Sequence, residues 1–363
     1  MDAQQAGAMD IAWKGAIIMD LTKQTINIKN LDKTSMDKAV ARWNDIAKPV
    51  GSLGVLEDIV VKIAGITGNA DVRLDKRAVI VMCADNGVLA QGVAQTPGEI
   101  TAVMAGFIAE KRSSVCIMAK KADVDIIAVD MGMFTRINNK DILDRRIANG
   151  TADFTQGPAM TKEEAQKAIE SGIELVKDCK KKGYKIIATG EMGIGNTTTS
   201  SAVASVLLGL SAEEVTGRGA GLSDEGLARK IKAIKQGIEI NKPDATDAFD
   251  VLHKLGGFDI AGLCGVFLGG AICGIPIVID GFISSVSALV AERICPGARN
   301  YMISSHISAE PACKTVLEEL GLHPVIHAGM RLGEGTGAVA ALPLIDMALA
   351  VYHDLMTYKD IGM

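Results

Sequence analysis

From about residue 76 onward, short β-branched runs alternate with longer stretches of helical spacing, and that alternation leaves few folds open. The runs lie at 78–84, 125–129, 185–188, 276–279, 301–303 and 324–326. Each is apolar on both faces, as strands are when helices cover a parallel sheet from both sides. The intervening helices have readable starts, such as the capping box Thr161-Lys-Glu-Glu164 ahead of 165–182. The pattern predicts a doubly wound, mostly parallel α/β sheet. Hydrophobic residues make up 48 % of the chain but aromatics only 4 %, so Ala, Val, Ile, Leu and Met must fill the core.

Residues 1–75 read as a polar preamble followed by helices, with charge at helical spacing over 32–46 and an apolar stripe over 53–66. The α/β part spans 76–342, and 343–363, helical after Pro343, is expected to pack back on the N-terminal helices. Several function classes drop out. With 38 Lys+Arg against 43 Asp+Glu and no basic tract, nucleic acid is not an expected partner. Seven scattered cysteines without a CxxC pair fit the reduced thiols of a cytoplasmic protein. Lys14 and Asp20 interrupt the only apolar stretch near the start, which does not read as a signal peptide. Residues 260–279 contain Gly265-xxx-Gly269 and little charge, yet five glycines and Pro276 break them up. They read as a buried helix, a turn and a core strand, not as a membrane span.

The strand ends point to a site, because ligands of open parallel sheets bind outside the carboxyl ends of the strands. Those ends carry Asp85, Asp130, Gly190-Glu191, Asp280, Ser304-Ser305, and Gly329 leading to Glu334. Gly190-Glu-Met-Gly193-Ile-Gly195-Asn196-Thr197-Thr198-Thr199 follows a strand and opens a helix. Its glycines let the backbone approach a ligand, and the free N–H groups of the helix start attract an anion. Neither GxGxxG nor GKT order is present, so the loop suits one phosphate better than a nucleotide. Gly217-Arg218-Gly219-Ala-Gly221, ahead of a helix bearing Lys230, offers two cations for the same dianion.

Arg331-Leu332-Gly333-Glu334-Gly335-Thr-Gly337 is the most specific segment. A carboxylate between glycines serves no packing purpose, so Glu334 is the candidate general base, with Glu191 as partner acid or ligand anchor. Partial desolvation makes a carboxylate a better proton acceptor. His323 and His327 stand four apart without a third ligand in reach, so no metal is expected. His306, at a strand end, is a candidate for orienting the site. The residues alone point to a metal-independent cytoplasmic enzyme that binds a small phosphorylated molecule and abstracts a proton.

Taken in order, Lys48-Pro-Val-Gly51-Ser-Leu-Gly-Val-Leu-Glu57, Cys83-Ala-Asp85-Asn86-Gly87-Val88, 190–198, Gly256-Gly-Phe-Asp-Ile-Ala261, Asp280-Gly-Phe282, Ser305-His306 and 332–337 form a set. With it the chain resembles the nicotinate-nucleotide:dimethylbenzimidazole phosphoribosyltransferases. The resemblance implies a Rossmann-like large domain, a small helical domain from both chain ends, and a dimer of identical or paralogous chains. It implies that an aromatic base attacks the anomeric carbon of nicotinate mononucleotide as nicotinate leaves. The α-riboside phosphate formed, with inversion, serves cobamide nucleotide-loop assembly. The cationic ring is already a good leaving group, so a base, positioning and water exclusion suffice, and no cofactor is implied.

Residue by residue, the resemblance places catalysis on Glu334 and Glu191. The phosphoribosyl contacts fall on Gly193, Gly195, Asn196, Thr197, Thr198, Gly219 and Lys230, with Asp280, Ser305 and Ser308 as neighbours. The base side falls on Asp85, Asn86, Thr96, Met104 and Leu332. Three positions depart from the family pattern: Thr96 and Met104 stand where Ser and Gln are common, and Asn86 where His is usual. Losing the amide at Met104 suggests an acceptor range beyond dimethylbenzimidazole, extending to phenol or p-cresol. A nicotinate mononucleotide hydrolase and a non-catalytic paralogue supporting an active subunit are the alternatives.

Overall fold

The computed structural model describes residues 28–363; the readings that fall on residues 1–27, Lys14 and Asp20 among them, lie outside the described residues. Six strands form one sheet: β1 (Arg77–Ala84), β2 (Asp125–Gly132), β3 (Ile142–Asp144), β4 (Ile186–Met192), β5 (Ile277–Ile279) and β6 (Met302–Ser304). Their spatial order is β3-β2-β1-β4-β5-β6 and every pairing is parallel. Side chains of β1 alternate as a covered strand requires. Ile80, Met82 and Ala84 enter one apolar cluster while Val79, Val81 and Cys83 enter the other.

The helices begin with α1 (Lys33–Asp45), capped by Asp32, which accepts from the Ser35 N–H at 2.6 Å, and α2 (Val55–Thr67). Then come α3 (Glu99–Ala109), α4 (Ser114–Lys121) and α5 (Lys162–Lys181), the last with both hydrogen bonds of the Thr161–Glu164 capping box. After β4 follow α6 (Asn196–Leu208), α7 (Ala212–Val215), α8 (Asp224–Asn241), α9 (Ala248–Leu255) and α10 (Phe258–Cys273). The chain closes with α11 (Phe282–Ile294), α12 (Cys313–Glu319) and α13 (Thr336–Asp354). Helices α5, α10 and α11 cover one face of the sheet, and α2, α3, α4 and α13 cover the other.

The glycines of α10 serve packing within this chain. A Cβ on Gly265 would lie 2.0 Å from the Ile169 carbonyl oxygen, and one on Gly172 would lie 2.1 Å from that of Gly262. Small residues thus let α10 and α5 touch backbone to backbone, and Gly274 in the left-handed region turns the chain into β5. The two ends of the described chain also meet. The Arg42 guanidinium donates to the Tyr352 and Leu355 carbonyls at 2.9 and 3.1 Å, and Trp43 packs edge-on against Tyr352.

Four expectations need correction. The run 324–326 is not a strand; it touches the sheet through one bridge, His306 to Ile326, because Pro324 brings no N–H to a ladder. Strand β3 was not foreseen, being three residues at the sheet edge with two of them exposed. Strand β4 continues past 188, so Gly190 and Glu191 belong to the strand itself. The last long helix begins at Thr336, not after Pro343, which it carries inside it at the cost of one backbone hydrogen bond. By length and apolar composition α13 is the one described helix able to cross a membrane, and half of its most apolar window is buried inside the fold.

Candidate active site

Connections run outward from β1 through β2 to β3, then return to β4 and run outward on the other side. The order therefore reverses between β1 and β4, and a crevice must open outside their carboxyl ends. A cleft of about 290 Å³ lies there. Glu191 and Met192 at the end of β4, the loop that follows, and the 331–334 segment form much of its wall.

Gly333, Glu334 and Gly335 are consecutively left-handed, with φ of +85°, +61° and +95°. For Glu334 this costs roughly 1–3 kcal/mol, which surrounding contacts must offset. A Cβ on Gly190 would lie 2.4 Å from the Glu334 carbonyl oxygen, and one on Gly335 would lie 2.8 Å from Val79 Cγ2. The segment is thus pressed against β4 and β1. Asp280, at the end of β5, holds the far side. Its carboxylate accepts from the N–H groups of Gly335, Gly337 and Ala338 at 3.2, 2.7 and 3.0 Å, at the start of α13. The Glu334 side chain is buried but lines the cleft, and its Oε2 accepts the Val115 N–H at 3.2 Å from the first turn of α4. An acid on an immobile turn, aimed into a cleft, is suited to proton transfer.

Glu191 lines the same cleft from the strand side, and a Cβ on Gly333 would lie 2.7 Å from its Oε1. The Asn196 amide donates to Glu191 Oε2 and, at 3.0 Å, to Asp259 Oδ2. Burial, reinforced by the Asp259 charge, pushes Glu191 up to about 8, and burial likewise pushes Asp259 up to about 6. Asp259 lay within a quoted motif but had no assigned role. The available signal was that it is the lone charge in α10, an otherwise apolar buried helix.

On the phosphate side, Gly193, Gly195, Asn196, Thr197 and Gly219 all line the cleft, and left-handed Gly195 opens α6. Thr198 does not; it is fully buried and its hydroxyl has no partner among the described residues. Lys230 sits behind the wall, fully buried, donating to Thr197 Oγ1 at 2.9 Å and the Gly217 carbonyl at 3.1 Å. Burial pulls its ammonium down to about 8, with Glu310 opposing. Arg218 reaches the cleft but its guanidinium is engaged by the Leu222 carbonyl and Asp224. Glu310, which was not foreseen, accepts the Gly219 N–H at 3.1 Å and so shapes the second glycine loop. Asp280, His306 and Ser308 line the cleft. Ser305 lies behind it, where its hydroxyl donates to the Asp280 carbonyl at 3.2 Å and meets His306 Nδ1 at 3.0 Å.

On the base side, Thr96, Met104 and Leu332 line the cleft, and Asp85 and Asn86 do not. The loop after β4 lies directly over them. A Cβ on Gly193 would stand 2.4 Å from the Ala84 carbonyl oxygen, and one on Gly195 3.5 Å from Asn86 Cβ. Asp85 instead accepts the Phe134 N–H at 2.7 Å, and neither atom of the buried Asn86 amide has a partner among the described residues.

Comparison with known proteins gives a consistent picture. A family model described as Phosphoribosyltransferase matches residues 28–363. A protein of Acetivibrio thermocellus named nicotinate-nucleotide–dimethylbenzimidazole phosphoribosyltransferase is 48 % identical over 334 residues, 92 % of this chain and 95 % of that protein. One of the same name from Ruminiclostridium cellulolyticum is 47 % identical, over 93 % of this chain and 96 % of its own length. The crystal structure of CobT from Thermus thermophilus superposes with a TM-score of 0.86 at 35 % identity, covering 91 % of this chain and 99 % of that one.

Proposed function

The chain belongs to the nicotinate-nucleotide–dimethylbenzimidazole phosphoribosyltransferase family, and we propose that it moves phosphoribose from nicotinate mononucleotide to an aromatic base in the cleft outside β1 and β4. The observation that carries the site assignment is the left-handed Gly333-Glu334-Gly335 turn, which fixes a buried carboxylate at the cleft wall against a helix start. In this reading Glu334 takes the proton from the attacking base as the new bond to the anomeric carbon forms, and nicotinate departs with its bonding pair. The phosphate lies against Gly193, Gly195, Thr197 and Gly219, with Lys230 supplying positive charge from behind the wall. Asp280 acts one step back, by holding the turn that carries Glu334.

The acceptor sits against Thr96, Met104 and Leu332. Met104 offers shape and polarisable surface but no donor, which supports an acceptor range that includes phenols as well as benzimidazoles. The product is the nucleotide unit used in cobamide assembly, and seven cysteines scattered without a CxxC pair support a cytoplasmic setting. The test is nicotinate release from nicotinate mononucleotide with and without a panel of benzimidazoles and phenols. Release matched by α-riboside phosphate, and only with an acceptor present, is expected. Equal release without any acceptor would overturn transfer in favour of hydrolysis, and absence of phenolic product would confine the chain to nitrogen bases.

A further inference from the structure

Four carboxylates line this cleft: Glu191 from β4, Glu334 from its glycine turn, Asp280 from the end of β5 and Glu310 beside the second glycine loop. A fifth, Asp259, lies fully buried behind Glu191 at the first turn of α10. Beyond it stand Asp85 and Asp130, the latter paired with Arg146 at 3.2 Å, and the buried thiol of Cys83 on β1. On the Asp280 side the facing group is His306, whose ring burial favours in its neutral form. Among the described residues no cation donates a hydrogen bond to Glu191 or Asp259; the two share the one amide of Asn196. Two buried carboxylates that share a neutral amide and have no cation beside them cannot both hold a charge without a large desolvation cost.

Geometry decides which of them keeps the proton. Asp259 accepts from Asn196 and also from the Ile260 N–H at 3.0 Å, at a helix start that favours negative charge. Among the described residues Glu191 accepts from Asn196 alone, and it faces three other acids. The geometry points to Asp259 as a positioning residue that, through Asn196, keeps Glu191 in its protonated form, so that Glu191 presents an O–H donor to an anionic ligand instead of a charge. Identifying that ligand as nicotinate mononucleotide, with its phosphate and carboxylate, rests on the transfer reading; the protonation state does not. The raised proton affinity of Glu191, with its midpoint at about 8, agrees with this assignment.

The test is difference infrared spectroscopy of the ligand-free full chain, comparing wild type, Glu191→Gln and Asp259→Asn from pH 6 to 9. A protonated carboxyl band present at pH 7 in wild type, missing in Glu191→Gln and fading as pH rises through about 8 is expected. In Asp259→Asn the fading should move down by one pH unit or more. No Glu191-dependent band at pH 7, or an unmoved midpoint in Asp259→Asn, would overturn the proposal. A second measurement does not depend on Asp259→Asn folding. Binding of nicotinate mononucleotide should weaken about tenfold more from pH 7 to 9 in wild type than in Glu191→Gln, which retains only the loss that comes from Lys230, whose ammonium burial pulls down to about 8. A parallel pH dependence in both proteins would overturn the proposal. Absence of transferase activity with the infrared behaviour intact would count against the transfer reading and leave the proton assignment supported.

Discussion

At the phosphate end of the cleft the polar groups are tied to one another and mostly buried: Asn196 to two carboxylates, half-buried Thr197 to Lys230, and half-buried Gly219 to Glu310. At the base end Thr96 and Met104 are half-buried and Leu332 is exposed, and they come from a loop, a helix and the edge of the glycine turn. In the proposed reading the first arrangement fixes where a sugar phosphate sits and where a proton goes. The second supplies a surface that one substitution can reshape without disturbing the chemistry. On that reading, reaction and acceptor choice are physically separable.

The sharpest way to break that separation is Glu334→Gln. It should cost roughly 10²–10⁴ in turnover while equilibrium binding of nicotinate mononucleotide is retained. Near-normal single-turnover rates would remove Glu334 from the reaction. Lys230→Ala should raise KM for nicotinate mononucleotide roughly 10–100-fold, the scale of a charge-assisted contact, and leave the acceptor KM nearly unchanged. Equal effects on both constants would show that the two ends are coupled. Met104→Gln should act on the base end alone, shifting kcat/KM toward benzimidazole over phenol by about five- to tenfold, the scale of one hydrogen bond. A changed KM for nicotinate mononucleotide would count against a separable base end. Thr161→Ala lies far along the chain, at the cap of α5, and should lower stability to urea by about 1 kcal/mol with kinetics unaltered.

Features written in local sequence were legible. Strand runs with two apolar faces located five of the six strands, and the glycine-flanked acid located the turn, because both depend on residues adjacent in the chain. The tight contact of α10 with α5 could be anticipated only as burial, since the partner glycine, Gly172, lies far upstream. The site was harder where layering decides. Asp85, Asn86, Ser305 and Thr198 sit at strand or helix ends as expected, yet none of them lines the cleft: the loop after β4 packs on Ala84 and Asn86, and the Ser305 hydroxyl is turned to the Asp280 carbonyl. A motif shows which end of a strand a residue occupies, not how many layers cover it. Asp259 escaped for the converse reason, because its role comes from Asn196, a residue on another element.

The left-handed backbone at Glu334 also bears on how such a chain ages. Glycine or asparagine would sit there with less strain, so a duplicated copy no longer selected for turnover would gain stability by discarding this acid. Decay would begin at the acid proposed to take the proton, so its retention at a strained position weighs against a merely scaffolding role.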